Sequence, residues 1–191
     1  MIHDSLKSTS FIVRELMLKA EKQKVSLVIG IPAESQAEER RVPLTPETVS
    51  LLVSAGYRVL FEAGAGLSIN YSDSYYAESG AEIVETAREV FQADLILKIL
   101  PPTFGEVQMM RQRTTVFSFL YLHKFTKPLL ELMSEKKINA LAYELIYDET
   151  GVSPFVTSIS EIEGASSITL AAELLSNAHG GKGILLGGIP G

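Results

Sequence analysis

The sequence predicts an α/β domain of three layers, in which a parallel sheet is flanked by helices on both faces and is followed by a linking helix. From Lys24 onward, short runs rich in β-branched and apolar residues alternate with segments of helical periodicity. This alternation is typical of right-handed βαβ units, whose strands form a parallel sheet of the Rossmann or flavodoxin-like type. Six runs have the composition of strands: Val25–Ile29, Arg58–Phe61, Glu82–Val84, Asp94–Ile99, Thr114–Tyr121 and Asn139–Tyr143.

Start and stop signals mark the helices between these strands. Thr45 offers an N-cap, Pro46 is a favoured first helical residue, and Gly56 is a residue favoured just past the end of a helix. Thr126, with Pro128 two positions later, marks the start of another helix. Both helices therefore fall in the gaps between predicted strands, as βαβ units require.

The last long helix and the glycine-dense end set the domain organisation. Ser160 and Glu163 have the spacing of a capping box, which predicts a helix that begins at Ser160. We expect an N-terminal helical extension over 1–24, a substrate domain over 25–157, and a linking helix with a glycine-rich connector over 158–191. The extension mixes charged and apolar residues as an amphipathic helix does, and it lacks the apolar core of a signal peptide.

Composition excludes several classes of function. The net charge of −6, from 17 basic and 23 acidic residues, argues against a surface for nucleic acid or anionic lipid. The absence of cysteine excludes a disulfide framework, a thiolate zinc cluster and a thiol nucleophile, and no metal site is predicted. No run of about 18 apolar residues is present, so no membrane span is predicted in this segment. A cytoplasmic location is the default expectation.

Ordered motifs along the chain resemble a known family. Gly30–Glu34 followed by Glu39–Pro46 resembles the start of the alanine dehydrogenase and nicotinamide-nucleotide transhydrogenase α-subunit family. Agreement at several ordered sites is far more specific than any single motif, and the resemblance is closest to the alanine dehydrogenases. Further blocks match in the same order: Phe61–Gly66, Ala93–Lys98, Ser158–Gly164 and Gly180–Gly191.

The resemblance implies a role in amino-acid metabolism. In that family the matching domain binds the amino or keto acid, and a Rossmann domain immediately downstream holds most of the NAD. We expect that second domain to be absent here, because a GxGxxG turn needs a following helix and nothing follows Gly191. The full-length protein is expected to convert L-alanine, NAD and water to pyruvate, ammonia and NADH, whereas this fragment should be inactive alone. A homo-oligomer is expected, in which the extension over 1–24 either forms an interface or packs on its own domain.

Arg41 is the first candidate for a substrate-binding residue. A guanidinium offers two parallel donors to a carboxylate, and the family's matching arginine binds the substrate in this way. Arg41 follows the first predicted strand, and ligands of parallel α/β sheets gather beyond the carboxyl ends of the strands. The alternative is a solvated charge beside Arg40.

Lys98 is a candidate for both substrate binding and catalysis. A cation in the apolar run Leu95–Leu100 requires either a partner of opposite charge or a functional role. It either polarises a keto oxygen or ends an edge strand, with its ammonium reaching water. The family carries a second, substrate-contacting lysine two positions further on, where this chain has Leu100.

Tyr121 and His123 are the candidates for proton transfer. In the Phe-x-x-Leu frame, Tyr121 takes the position of the family's catalytic histidine, and His123 lies two residues beyond it. If the strands continue this far, Tyr121 and His123 share one face, as do Lys98 and Leu100. A base must come within about 3 Å of its proton, so either the site is rearranged or the deamination chemistry is lost. Tyr121 can donate a hydrogen bond but is a poor base, and His123 fits surface, packing or catalytic roles.

Ser160 is the candidate cofactor-binding residue, because it matches the family's Ser-Glu-x-x-Gly block, although a capping role explains it equally well. Two other functions stay open. A transhydrogenase-type subunit passes hydride to a second nucleotide and has no amino acid to polarise, which fits Leu100 and Tyr121. A non-catalytic module that binds an amino or keto acid would keep Arg41 and lack proton-transfer groups.

Overall fold

The computed structural model describes residues 27–36 and 38–187 of the chain. The predicted helix over 1–24, the first residues of the first predicted strand and the last four residues lie outside this part. The strands are β1 (Val28–Ile31), β2 (Arg58–Glu62), β3 (Glu82–Val84), β4 (Leu95–Leu97), β5 (Thr115–Ser118) and β6 (Asn139–Ala142). The α-helices are α1 (Pro46–Ser54), α2 (Asp73–Glu78), α3 (Ala87–Val90), α4 (Phe104–Met109), α5 (Lys127–Glu135) and α6 (Pro154–Leu175).

The six strands form one parallel sheet in the order β3-β2-β1-β4-β5-β6. The chain builds outward from β1 to β3, crosses over, and then builds outward on the other side from β4 to β6. This order is that of a doubly wound sheet, and it confirms the predicted fold class. Its consequence is a crevice beyond the carboxyl ends of β1 and β4, where the winding direction reverses.

The core consists of two apolar clusters, one on each face of the sheet. Successive residues of a strand point to opposite faces, so Leu95 and Leu97 of β4 contact one cluster and Ile96 belongs to the other. Phe61 is fully buried in the first cluster, where its ring stacks on Tyr76 at a centroid distance of 3.7 Å. Burial on both faces explains why the central strands β1 and β4 appear in the sequence as nearly continuous apolar runs.

The helix signals were right for two helices and wrong for the last one. Helix α1 begins after Thr45 and ends before Gly56, whose φ of 93° is easy only for glycine, and α5 begins after Thr126. Helix α6, in contrast, begins at Pro154 and not at Ser160. A capping serine must be extended, but Ser160 lies inside the helix, because Pro154 provides an earlier first helical position with a fixed φ.

Strands β4 and β5 are shorter than predicted. The predicted strands reached Ile99 and Tyr121, whereas β4 ends at Leu97 and β5 ends at Ser118. The first amide beyond each end, that of Lys98 or Phe119, still donates across to the neighbouring segment, but the next ones, at Ile99 and Leu120, donate to glutamate carboxylates. Strand β1 differs in the opposite direction and runs on to Ile31. No helix among the described residues is both long and apolar enough to cross a bilayer.

Replacing Gly30 with alanine is expected to lower the free energy of unfolding by about 1–3 kcal/mol. A Cβ at this position in β1 would lie 2.6 Å from the carbonyl oxygen of Val90 and 2.9 Å from the Cβ of Ala93, so backbone would have to move. The measurement is urea denaturation of the variant and the wild type. The matched control is Gly105→Ala in α4, where an added Cβ meets nothing within 4 Å. Equal effects of the two substitutions would contradict the close packing at Gly30.

Candidate functional site

A cleft of about 420 Å³ lies at the carboxyl end of the sheet. One wall is the loop after β1, the floor consists of residues that follow β4, β5 and β6, and the other wall is the start of α6. Arg41 is the charged residue in this lining, as far as the described residues show, and the remainder is mostly apolar or aromatic. The cleft therefore combines one cation with a hydrophobic surface, at the end of the sheet where the topology predicts a ligand.

Arg41 is half exposed and is held by Glu39. Its Nε donates to one carboxylate oxygen of Glu39 at 2.8 Å and its Nη2 to the other at 2.6 Å. This bidentate pair raises the pKa of Arg41 and lowers the pKa of Glu39, and the nearby Tyr121 and Glu163 raise the pKa of Arg41 further. The guanidinium thus lies at the cleft, oriented by Glu39 in a geometry suited to carboxylates, and its role in substrate binding stays a prediction.

Lys98 is fully buried between two carboxylates. It follows β4, a central strand, and its Nζ lies 3.1 Å from Glu34 Oε2 and 3.2 Å from Glu106 Oε1. The expectation that its ammonium reaches water from an edge strand is wrong, because β4 lies between β1 and β5. A buried cation needs paired charges, and the two glutamates meet that need. The role of Lys98 in polarising a keto oxygen stays a prediction, and Lys98 does not line the cleft described above.

Glu34 and Glu106 were not identified as site residues from the sequence. The carboxylate of Glu34 also accepts the amides of Ile99 and Leu100, so it holds the chain just beyond β4. Glu106 completes a capping box with Thr103 at the start of α4. Both had a signal in the sequence: an acid in the turn that follows a buried strand, and a Thr-x-x-Glu spacing before a helix.

Glu144 accepts main-chain amides just beyond the end of β5, as Glu34 does just beyond the end of β4. Its Oε1 accepts the amide of Leu120 at 3.0 Å and that of Tyr121 at 2.8 Å. Tyr121 has left-handed backbone angles, with φ of 44° and ψ of 58°, which are uncommon for a non-glycine residue. The carboxylate of Glu144 therefore fixes the turn in which the candidate tyrosine lies.

Tyr121 and His123 do not share a strand face as expected. His123 lies in an exposed 3₁₀ turn (Leu122–Lys124), with its ring centroid 6.2 Å from that of Tyr121. The Tyr121 ring stacks on Phe119 at 5.6 Å, and burial raises its pKa, so this phenol is a hydrogen-bond donor at neutral pH. Leu100 also lies beyond its strand and lines a separate cleft of about 330 Å³. The strand-face argument fails because both strands end early.

Ser160 lies within α6 and is exposed. The helix face that lines the cleft carries Phe155, Ser158, Ile159 and Ile162, at the i, i+3, i+4 and i+7 spacing of one side of a helix. Ser160 is not on that face, and its proposed contact with a cofactor stays a prediction.

Tyr143 gives the cleft floor a pH dependence. Burial raises its pKa to about 12, and Glu34 contributes to this shift. An ordinary tyrosine pKa is about 10, so the buried phenol contributes stability that is present below about pH 10 and is lost as the pH rises toward about 12. In urea denaturation, the difference in unfolding free energy between the wild type and Tyr143→Phe should shrink over this interval. Ionisation of the other tyrosines affects the wild type and the variant alike, so it cancels in the difference. A difference that stays constant with pH would therefore contradict the prediction.

Comparison with known proteins gives consistent matches. Residues 30–163 match the model of the family "Alanine dehydrogenase/PNT, N-terminal domain". The alanine dehydrogenase of Methanococcus maripaludis is 41% identical over 169 residues, which are 86% of this chain and 44% of that protein. That of Bacillus subtilis is 38% identical over 166 residues, covering 86% and 43%. The chain thus spans less than half the length of these relatives.

Two solved structures give the same picture. An L-alanine dehydrogenase superposes with a TM-score of 0.80 at 32% identity, covering 86% of this chain and 45% of that one. A transhydrogenase from Sinorhizobium meliloti superposes with a TM-score of 0.58 at 31% identity, covering 62% and 35%. The alanine dehydrogenase therefore matches more of the chain and matches it more closely.

Proposed function

The chain belongs to the family of alanine dehydrogenase/PNT N-terminal domains, and on this basis we propose that it is the substrate-binding half of an NAD-dependent, alanine-dehydrogenase-like oxidoreductase. The full-length protein would convert L-alanine, NAD and water to pyruvate, ammonia and NADH. The relatives named alanine dehydrogenase are more than twice as long as the matched segment, which supports the expectation that this segment is inactive alone. We expect the whole protein to act in the cytoplasm as a homo-oligomer.

The observation that carries this proposal is the placement of Arg41. Its guanidinium lies at a cleft beyond the carboxyl end of a doubly wound sheet, oriented by Glu39. Because Nε and Nη2 are engaged by Glu39, a substrate carboxylate either binds the remaining edge of the guanidinium or displaces Glu39. In both cases the planar fork offers hydrogen bonds strengthened by charge, which a lysine at the same position would not match in geometry.

Tyr121 is proposed to donate a hydrogen bond to the bound acid. Its phenol is close enough to Arg41 for each to influence the pKa of the other. Because burial raises the pKa of Tyr121, the hydroxyl keeps its proton at neutral pH and does not serve as the base. We therefore expect proton transfer to depend on His123 after a rearrangement, or on a residue outside the described part of the chain.

NAD does not fit the crevice of this sheet. A dinucleotide at such a crevice places its pyrophosphate on a glycine-rich turn that leads directly into a helix. Here the turn after β1 contains Pro32 and Glu34, the carboxylate of Glu62 binds the Ala33 amide, and α1 begins only at Pro46. The Glu62 carboxylate occupies the Ala33 amide and would repel a pyrophosphate there, so we propose that the cofactor is held mainly outside the described residues, with Ser160 touching it from this side.

Binding and turnover test the proposal separately. In calorimetry on this chain, Arg41→Ala should weaken pyruvate binding by about tenfold or more, since a hydrogen bond to a charged group contributes about 1.5–3 kcal/mol. The control is Arg40→Ala, an exposed neighbour whose side chain does not line the cleft. In a longer protein that carries this domain, L-alanine should drive NADH formation and Arg41→Ala should abolish it. Tight NADH binding without turnover of any amino acid would contradict the proposal.

A second candidate, a module that binds an amino or keto acid without turning it over, is favoured by two observations. The ammonium of Lys98 is ion-paired with Glu34 and Glu106, and the pKa of the Tyr121 phenol is raised, so neither group is suited to proton transfer. Such a protein would bind pyruvate through Arg41 and would show no alanine-dependent NADH formation. The same pair of assays therefore separates the two candidates.

A further inference from the structure

Glu39 is held in place by contacts that do not involve the side chain of Arg41. Its amide donates to the carbonyl oxygen of Gln36 at 3.0 Å, which closes a turn. Its carboxylate accepts the amide of Arg41 at 2.9 Å and is hydrogen-bonded to the main chain of Arg40 as well. The carbonyl oxygen of Arg40 accepts Ser68 Oγ at 2.8 Å, which connects this loop to the segment after β2. Main-chain contacts therefore fix Glu39, and Glu39 in turn orients the long side chain of Arg41.

The two partners of this ion pair differ in exposure. The side chain of Glu39 is 8% exposed, whereas that of Arg41 is 49% exposed. A ligand that enters from water therefore reaches the guanidinium more readily than the carboxylate. Displacement of Glu39 would also leave main-chain groups of Arg40 and Arg41 without their acceptor, which costs free energy. These contacts thus oppose the exchange of Glu39 for a ligand carboxylate.

Glu39 uses only one edge of the guanidinium. Nε and Nη2 of Arg41 donate to its two carboxylate oxygens at 2.8 Å and 2.6 Å. The planar group has a second edge, formed by Nη1 and the remaining N–H of Nη2, which can form another two-pronged pair with a carboxylate. Within the described part of the chain, no hydrogen bond or ion pair occupies this second edge. Arg41 can therefore bind a carboxylate ligand while it stays paired with Glu39.

Resting on the proposed function, we infer that Glu39 is a positioning residue, which stays bound to Nε and Nη2 of Arg41 while the substrate carboxylate binds Nη1 and Nη2. Glu39 does not touch the substrate in this arrangement and acts only through Arg41. Because the guanidinium is oriented before the substrate arrives, binding does not have to order a long side chain, which would otherwise weaken affinity several-fold. The alternative is that Glu39 occupies the place of the substrate carboxylate and has to be displaced by it.

Two substitutions of Glu39 separate its orienting effect from its charge. Glu39→Gln and Glu39→Ala remove the same charge, but the glutamine carbonyl can still accept the amide and Nε of Arg41 from the position of Oε1, which accepts both in the wild type. In calorimetry on this chain, we expect pyruvate to bind Glu39→Gln about three- to tenfold more tightly than Glu39→Ala. Displacement predicts the reverse order, because alanine leaves no group to displace. Equal affinities, or tighter binding to Glu39→Ala, would overturn the inference.

The matched control is the neighbouring Glu38, which is exposed and does not line the cleft. Glu38→Gln and Glu38→Ala should bind pyruvate with equal affinity, since the side chain at this position does not orient Arg41. A difference between them as large as that between the two Glu39 variants would show a general effect of the loop and would count against the specific role of Glu39.

Amide hydrogen exchange at Arg41 tests the inference in the wild type, without any substitution. This amide donates to Glu39 Oε1, so saturating pyruvate should leave its exchange as slow as in the free protein, or slower. Displacement of Glu39 would remove the acceptor and speed the exchange, and that result would overturn the inference while the proposed function stands. Failure of the wild type to bind pyruvate at all would instead overturn the proposed function.

Discussion

Lys98→Met is expected to lower the free energy of unfolding by about 3–5 kcal/mol, the range measured when one partner of a buried ion pair is removed. Methionine has nearly the length of lysine, so the packing volume is kept and only the charge is lost. Glu34 and Glu106, with side chains 4% and 7% exposed, would then face each other as buried carboxylates without a cation. Guanidinium denaturation of the wild type and the variant measures the loss.

Two comparisons separate the buried charge from other effects. The triple variant Lys98→Met, Glu34→Gln, Glu106→Gln should recover most of the stability, because no net charge is left unpaired and the glutamine carbonyl still accepts the Ile99 amide. The surface counterpart is Arg58→Met, whose partner Glu82 lies 2.7 Å away with both side chains about half exposed. That change should cost far less than Lys98→Met, because exposed ion pairs are screened by water and salt. A Lys98→Met cost as small as that of Arg58→Met would refute the importance of the triad.

Glu144→Ala is expected to lower the free energy of unfolding by about 2–4 kcal/mol, since the amides of Leu120 and Tyr121 lose their acceptor and an unsatisfied buried donor costs about 1–3 kcal/mol. Both hydrogen bonds lie at the point where the chain leaves β5. Amide hydrogen exchange measured by NMR should show faster exchange at these two positions than in the wild type. Strand β5 itself should keep its protection, because its ladder with β4 and β6 is unchanged.

The control for this prediction is Glu144→Gln. The glutamine carbonyl can accept both amides from the position of Oε1, which already accepts both, so the loss should be less than half that of the alanine variant. Glu149→Ala, an exposed glutamate in the following turn, should change neither stability nor exchange. Wild-type exchange at Leu120 and Tyr121 in Glu144→Ala would show that another group holds this turn.

The strands were predictable from composition, but their ends were not. Strands buried on both faces leave apolar runs in the sequence, and all six predicted strands occur in the sheet. The ends of β4 and β5 depend on acceptors that are distant along the chain: Glu34 binds an amide 65 positions away, and Glu144 one 24 positions away. Local propensity contains no information about such contacts. The sequence contains two local signals for the start of α6, and the helix begins at Pro154 instead of at the capping-box spacing of Ser160.

The sequence predicted those features of the candidate site that depend on the chemistry of a single residue, but not those that depend on which residues meet in the fold. Arg41 was placed at the end of the sheet by its motif, and it lies in the cleft there. Lys98 was recognised as a cation that needs a partner, yet the identity of Glu34 as that partner required the adjacency of β1 and β4, which no pattern in the sequence gives. The positions of Tyr121 and His123 were missed for the same reason as the strand end: the turn after β5 is shaped by Glu144.

The left-handed turn at Tyr121 has a consequence for how this protein can evolve. Its conformation is maintained by main-chain amides bound to Glu144, so the scaffold does not depend on which side chain the position carries. Histidine and asparagine adopt such angles more readily than tyrosine does. A single substitution such as Tyr121→His is therefore expected to be accommodated without refolding the loop. The side chain at this position can change in one mutational step while the main chain around it stays the same.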